Sequence, residues 1–370
     1  MMHYIAICSH DLVCLIPPFY LDDFNITKCT LLLHEDNRQY AVWFKQFVDN
    51  TDSQYSEMVL SEYKYDKSIK NLQKIFEQID DEEHVLLNTY GAQPMLLDAI
   101  SECTASKENV QLCYIDIEDN KVVFLGSKDN ENLPSCLSIS DFLTCQGYSI
   151  VARKDPSDDK EFSYNSACVQ IVNNFEGIYK GIPKINYLAS SAQGSLTSSY
   201  SSPDTSGSHL GVLLSILQGA NLISCTNGKI SFANEEARFF ANGGWLEQYV
   251  QLTLDRLYRE GMISDYAVNL EIVSSIGVRN EIDAAFTAKN KFFVIECKTI
   301  RWQSNSDRSM PVYKLKSIMT DIGGLNARGV LVSAFDVDQK RCEEYEMMSI
   351  QHAKIINLED NLRQLVAKIK

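Results

Sequence analysis

Residues 281–299 read EIDAAFTAKNKFFVIECKT, a stretch that leaves a chain little choice of fold. Phe292, Phe293, Val294 and Ile295 run without polar alternation, as in a strand buried on both faces of a sheet. Such a strand needs helices packed above and below it. Yet it ends in Glu296 and Lys298, which share one face because strand side chains i and i+2 point the same way. Asp283 stands thirteen residues before Glu296. If Lys289 and Asn290 form a two-residue hairpin loop, Ala288 pairs with Lys291, and the register sets Asp283 directly across from Glu296. Directly opposed side chains have Cβ atoms about 4.5 to 5.5 Å apart.

Two carboxylates held that close repel each other, and an unpaired charge at the end of a buried strand costs several kcal/mol. Mn²⁺ or Mg²⁺ is the economical partner, a hard cation that takes carboxylate oxygens and keeps several waters. The chemistry that follows is metal-assisted hydrolysis of a phosphodiester, with Lys298 holding the attacking water or neutralising charge on phosphorus. Glu247 lies on the amphipathic stretch WLEQYVQLTLDRLYREG, just upstream of the strands. It is the expected fourth member, so the candidate metal ligands are Glu247, Asp283 and Glu296. The competing reading is a buried Glu–Lys ion pair with Asp283 capping the strand end. Glu281 reads as a surface group, and Cys297 as packed inward.

The net charge of −15 argues at first against a polyanionic substrate. Its placement changes that reading. Residues 236–370 hold 18 Lys+Arg and 18 Asp+Glu, so the whole excess lies in residues 1–235. Between 284 and 320, Lys289, Lys291, Lys298, Arg301, Arg308, Lys314 and Lys316 face only Glu296 and Asp307. That segment can meet phosphates, or it can be an ordinary solvated face. Eleven cysteines without a C-x-x-C pair give neither a disulfide framework nor a zinc site and suit a reducing cytoplasm. The N-terminal run MMHYIAICSHDL reads as a strand and loop, not a signal peptide, and no apolar run approaches a membrane span.

Upstream, HYIAIC (3–8), TLLLH (30–34), HVLLN (84–88), VQLCYI (110–115) and KVVFL (121–125) read as strands, alternating with helical patterns at 38–49 and 66–79. That alternation predicts a parallel α/β sheet with its ligand site in the loops at the strands' carboxyl ends. Residues 189–208, ASSAQGSLTSSYSSPDTSGS, read as a flexible Ser-rich loop within a connecting region at 151–235. From 236 the expected order is helix, three strands, helix, strand, with Gly261 closing the first helix.

GGWLEQYV, NEIDAAF, IECKT, YKLKSI and GGLNARGVLVS resemble the nuclease half of CRISPR-associated ancillary nucleases that join a CARF domain to a PD-(D/E)xK, restriction-endonuclease-like domain. The resemblance covers roughly residues 236–335 by motif and the remainder by organisation. It implies an N-terminal Rossmann-like CARF domain at 1–150 and a nuclease domain at 236–370. It further implies a cytoplasmic homodimer that binds a cyclic oligoadenylate, tetra-adenylate first, across paired CARF domains. Binding then activates cleavage of DNA, RNA or both at Glu247, Asp283, Glu296 and Lys298.

The effector turn is expected at LLNTYGAQPM (86–95), with Thr89, Tyr90, Gly91, Ala92 and Gln93 lining the site together with Ser9 and His10 after the first strand. Tyr90, Ala92 and Gln93 stand where the family's pattern has glycine, threonine and lysine. The missing lysine removes one phosphate contact. A Gly turn followed by Pro94 at a helix start still leaves backbone N–H groups free for a phosphate. Two other functions fit the same residues: a ligand-sensing regulator with an inactive nuclease-like domain, and a constitutive DNA repair nuclease. A metal-free HEPN-type ribonuclease does not fit, because none of the six histidines has an arginine five to seven positions before it.

Overall fold

A computed structural model describes residues 2–21, 23–60, 65–80, 82–126, 130–154, 162–200, 207–302, 304–323 and 326–369. The first sheet is built from β1 (Met2–Ile7), β2 (Ile26–Leu33), β3 (Gln54–Val59), β4 (His84–Asn88), β5 (Val110–Asp116), β6 (Lys121–Phe124) and β7 (Glu131–Asn132), in the order 3-2-1-4-5-6-7. The first five are parallel, and the last two add an antiparallel edge. β1 shows why it sits at the centre. Tyr4 and Ala6 enter one core while Ile5 and Ile7 enter another, as the two-residue period of a strand dictates. Helix α1 (Arg38–Val48) covers the Tyr4 face, and α2 (Tyr65–Glu77) and α3 (Pro94–Thr104) cover the Ile5 face. This is the doubly wound, Rossmann-like arrangement expected from the alternation. β3 escaped the sequence reading because QYSEMV is an edge strand with mostly exposed or half-buried residues and no apolar run.

The second sheet has the order β16-β15-β14-β13-β12-β8, from β8 (Tyr148–Lys154), β12 (Asp265–Ser274), β13 (Arg279–Ala288), β14 (Lys291–Lys298), β15 (Ala327–Ser333) and β16 (Met348–Gln351). β8, which straddles residue 150, pairs antiparallel with β12. β14, β15 and β16 run parallel, and the rest are antiparallel. α4 (Ile139–Cys145) and α11 (Asn305–Gly323) pack on the face presented by Phe292 and Val294. The opposite face, with Phe293 and Ile295, takes α10 (Trp245–Arg259) and α13 (Leu358–Lys368). The Tyr4 core of the first sheet and the Phe292 core of the second are continuous, and Phe142 of α4 stacks on Phe292 with centroids 4.5 Å apart.

The connecting region supplies α5 (Phe162–Asn173), α6 (Phe175–Ile178), α7 (Ile182–Ser191) and α8 (His209–Gly219), a small sheet of β9 (Thr197–Ser199), β10 (Ile223–Thr226) and β11 (Lys229–Phe232), and α9 (Glu235–Phe239). The Ser-rich stretch is therefore partly regular. Ala189–Ser191 end α7, and Thr197–Ser199 pair with Lys229–Ser231, backbone pairing that needs no apolar side chain. Residues 201–206 of that stretch, and residues 324 and 325 of GGLNARG, lie outside the described residues. A short α12 (Gln339–Glu344) precedes β16. No described helix is long and apolar enough to cross a membrane, and all eleven cysteines are free.

Candidate active site and effector pocket

The β13–β14 hairpin has the register read from the sequence. Ala288 pairs with Lys291 and Ala284 with Ile295, and Lys289 and Asn290 both take positive φ, 46° and 59°, as a two-residue type I′ turn requires. Continued by one step, that register sets Asp283 opposite Glu296. The ladder ends there, and the Asp283 carboxylate accepts the Cys297 backbone N–H at 2.7 Å. Glu296 is fully buried on the face covered by α11. Lys298 ion-pairs with its Oε1, and Lys314 of α11 reaches the same oxygen at 2.8 Å. Lys298 also lies 3.9 Å from Asp283.

Glu247 approaches from the first turn of α10, positioned by the Gly243–Gly244 pair. Gly243 has φ 111°, and a Cβ there would lie 2.3 Å from the Thr299 hydroxyl, so the chain can pass the end of β14 only with glycine. Burial pushes Glu247 up to about 7, with the Asp283 carboxylate adding to the rise. Burial also raises Asp283, helped by Glu296 and opposed by Lys298. For Lys298, burial works against the charge, but Glu296 and Asp283 outweigh it and leave the ammonium above its ordinary range. The four sequence candidates thus form one electrostatic cluster. Cys297 is buried, and burial lifts its thiol far above the range of a reactive thiolate.

Among the described residues no three acids, thiols or imidazoles are gathered closely enough to hold an ion as they stand, because Glu296 is turned onto two lysines. The donor set nevertheless suits a divalent cation. Glu296 Oε2 is shut off from solvent with no hydrogen-bond partner, and burial holds both Asp283 and Glu247 above the usual carboxylate range, with Glu296 adding to the rise of Asp283 and Asp283 to that of Glu247. A cation among these oxygens would relieve all three conditions.

The basic segment does not act as one patch. β14 spans 8 residues, roughly 26 Å at about 3.3 Å per residue, so its two ends are far apart. Lys289 and Lys291 sit at the turn end, where Lys289 donates to the Ile369 carbonyl and Lys291 pairs with Glu118 at 2.8 Å. Lys298 and Lys314 join the acids, and Arg301 and Arg308 line a separate pocket.

In the first sheet, strand order reverses between β1 and β4, which is where a doubly wound sheet opens a crevice. A pocket of about 390 Å³ lies there, lined by Ser9, His10, Tyr90, Gly91 and Gln93 from the sequence prediction. Gly91, at φ 81°, lets the turn pack against Ser9. Pro94 opens α3 as expected. Thr89 and Ala92 do not line the pocket. The Thr89 hydroxyl is buried on the Cys113 carbonyl, and Ala92 packs on the core beneath α2 and α3. His34, Asn37 and Tyr40, which the sequence reading missed, complete the wall because β2 and α1 lie beside β1. Tyr90 donates its hydroxyl to Asp11 at 2.8 Å, and the other oxygen of Asp11 accepts the Asn326 amide at 2.8 Å. Asn326 immediately precedes β15, the strand beside Glu296.

Residues 234–369 match the family described as Card1-like, endonuclease domain. Protein VC1899 from Vibrio cholerae aligns with a TM-score of 0.88 at 23% identity, over 99% of this chain and 98% of that one. Can2 from Sulfobacillus thermosulfidooxidans, in complex with cyclic tetra-adenylate, gives 0.80 at 22% identity over 99% of each chain. A type III CRISPR defence DNA nuclease activated by cyclic oligoadenylate gives 0.56 at 14% identity, over 90% of this chain and 45% of that one. At these identities the likeness shows a shared fold. No curated protein matches the chain in sequence.

Proposed function

We propose that this chain is a nuclease, dependent on Mn²⁺ or Mg²⁺, that a cyclic oligoadenylate switches on, in the manner of type III CRISPR defence. The observation that carries this reading is the convergence of Glu247, Asp283, Glu296 and Lys298 at one end of β14. The match of residues 234–369 to an endonuclease domain supports it. Glu247, Asp283 and Glu296 hold the ion, which supplies Lewis acidity toward a phosphodiester. Lys298, charged at neutral pH, offers a proton-bearing ammonium to the attacking water or to a non-bridging oxygen. Lys314 neutralises Glu296 here, and with an ion bound to Glu296 its ammonium would be available to a substrate phosphate.

The effector belongs in the pocket between Ser9 and Gly91, with the free N–H groups at the start of α3 facing its phosphates. Cyclic tetra-adenylate is the first choice, by likeness to the Can2 complex. The working form in this reading is a homodimer, in which the pockets of about 390 Å³ of two chains share one ring. The first sheet then senses, α5 to α9 connect and the second sheet cuts; because β8 (Tyr148–Lys154) pairs with β12, the expected boundary at 150 shifts to before β8.

Glu296→Gln is expected to abolish cleavage of single-stranded RNA, single-stranded DNA and plasmid in Mn²⁺ with cyclic tetra-adenylate, and EDTA to abolish it in the parent. Cleavage by the variant at the parent's rate sinks the reading. The two lysines on Glu296 favour one competitor, a ligand-sensing regulator whose nuclease-like half is a scaffold. It predicts effector binding with no cleavage of any of these substrates.

A further inference from the structure

Beyond the end of β14 lies a pocket of about 460 Å³ that neither the acids nor the effector turn explains. Its walls come from stretches far apart in sequence. Tyr179 and Lys180 belong to the connecting region, Arg301 and Trp302 follow β14, Arg308 lies on α11, and Phe335 and Asp336 follow β15. Three cations therefore face one carboxylate on a chain whose net charge is −15. Among the described residues, Lys180, Arg301 and Arg308 have no ion-pair partner. Three aromatic rings share the same walls. Tyr179 is braced edge-on by His352 with centroids 4.8 Å apart, and Lys180 lies 5.6 Å over its ring.

Distance ties this pocket to the acids. Lys298 pairs with Ser333, and the Ala334 N–H donates to the Lys298 carbonyl at 2.8 Å, so β14 and β15 end side by side. Arg301 follows Lys298 by three residues, about 10 Å of extended chain. A bare phosphate has no use for the rings, and an apolar ligand none for three cations. An anion with a flat face satisfies both.

We infer that this pocket grips one unstacked nucleotide of the strand being cut, beside the scissile phosphodiester. Arg301 and Arg308 hold its phosphate, and the Trp302 side of the pocket takes its base. The inference rests on the nuclease reading for its substrate, but it is tested by binding alone. DNA and RNA share the chemistry, so both serve as probes.

The experiment is fluorescence anisotropy with labelled 12-nucleotide oligo-dT and oligo-U, using the full chain in EDTA across a salt series, with and without cyclic tetra-adenylate. The Arg301→Ala/Arg308→Ala double variant is expected to bind at least tenfold more weakly, with a salt slope shallower by about 0.7, the contribution of one single-strand phosphate contact. Trp302→Ala is expected to weaken binding roughly tenfold, and Trp302→Phe to restore most of it. An oligonucleotide carrying abasic positions throughout should not distinguish Trp302→Ala from the parent. Because Trp302 is partly buried, the arginine pair, exposed Arg301 and half-buried Arg308, is the primary test should Trp302→Ala fail to fold. Parent-like affinity and slope in the double variant overturn the inference, as does absence of binding by the parent under both conditions. A parent that binds in this way but cuts nothing in Mn²⁺ overturns the nuclease reading instead and leaves the pocket standing.

Discussion

Glu247 shows how one buried carboxylate can report on the whole site. In the unfolded chain it titrates near the ordinary glutamate value, whereas in the fold burial and Asp283 push it up to about 7. Between about pH 4.5 and 7 the native state therefore holds a proton the unfolded state has lost. Stability falls as pH rises through that window, and above it the ionised group costs on the order of 3 kcal/mol in the metal-free protein. Glu247→Gln, which keeps the shape and cannot ionise, is expected to be more stable than the parent in EDTA at pH 8, by about 1–3 kcal/mol in urea unfolding. The difference should vanish near pH 4.5. Mn²⁺ is expected to raise the melting temperature of the parent more than that of the variant. Equal stability at both pH values contradicts the burial argument. At this scale the sequence showed which residues carry charge. It did not show Lys314 as the second cation on Glu296, because that contact joins a helix to a strand 18 positions away.

Among the elements, the β13–β14 hairpin was the most legible, because its side-chain period and its two turn residues specify one register. Less legible was what its turn does. Asn290 is 1% exposed, and its carboxamide oxygen accepts the backbone N–H groups of Cys136 and Leu137 at 3.1 Å each. Its amide donates to Pro134 O and Asn120 Oδ1 at 2.8 Å each. The turn thus pins the segment between the two sheets. Asn290→Ala strands those buried groups and strains a backbone at φ 59°. It is expected to cost about 3 kcal/mol or more in urea unfolding. Asn290→Gly relieves the backbone alone and should fall between parent and alanine. Indistinguishable stabilities of all three proteins would falsify this account of the turn.

Across the whole molecule, Asp11 is one of the polar contacts between the two sheets, beside that of Glu118 with Lys291 and Arg328, and holds Tyr90 on one oxygen and Asn326 before β15 on the other. Asp11 thus links Tyr90 to the start of β15, which pairs with Phe292 at the turn end of β14, with β15 running on to Leu331 beside Glu296. Asn326→Ala removes this one contact between the halves, keeps those of Glu118 with Lys291 and Arg328, and leaves Tyr90 on Asp11. If the contact carries the signal, half-maximal cleavage requires roughly 3–10 times more cyclic tetra-adenylate, with the rate at saturation unchanged. An unaltered dose–response curve removes Asp11 from the coupling.

The sequence by itself determined the two α/β sheets, the hairpin register and the gathering of Asp283, Glu296 and Lys298, because strand periodicity and turn chemistry are local properties of neighbouring residues. It also placed the crevice between β1 and β4, since a loop after β1 and a loop after β4 meet wherever parallel order reverses. Only the tertiary structure decided that Thr89 and Ala92 turn away from that crevice and that the seven cations divide among the hairpin turn, the acids, α11 and the Arg301 pocket. Tertiary contacts likewise joined Asp11 to Asn326 across 315 positions. Charge along a chain is one-dimensional, but which cations meet depends on strand length and on which helix packs on which face.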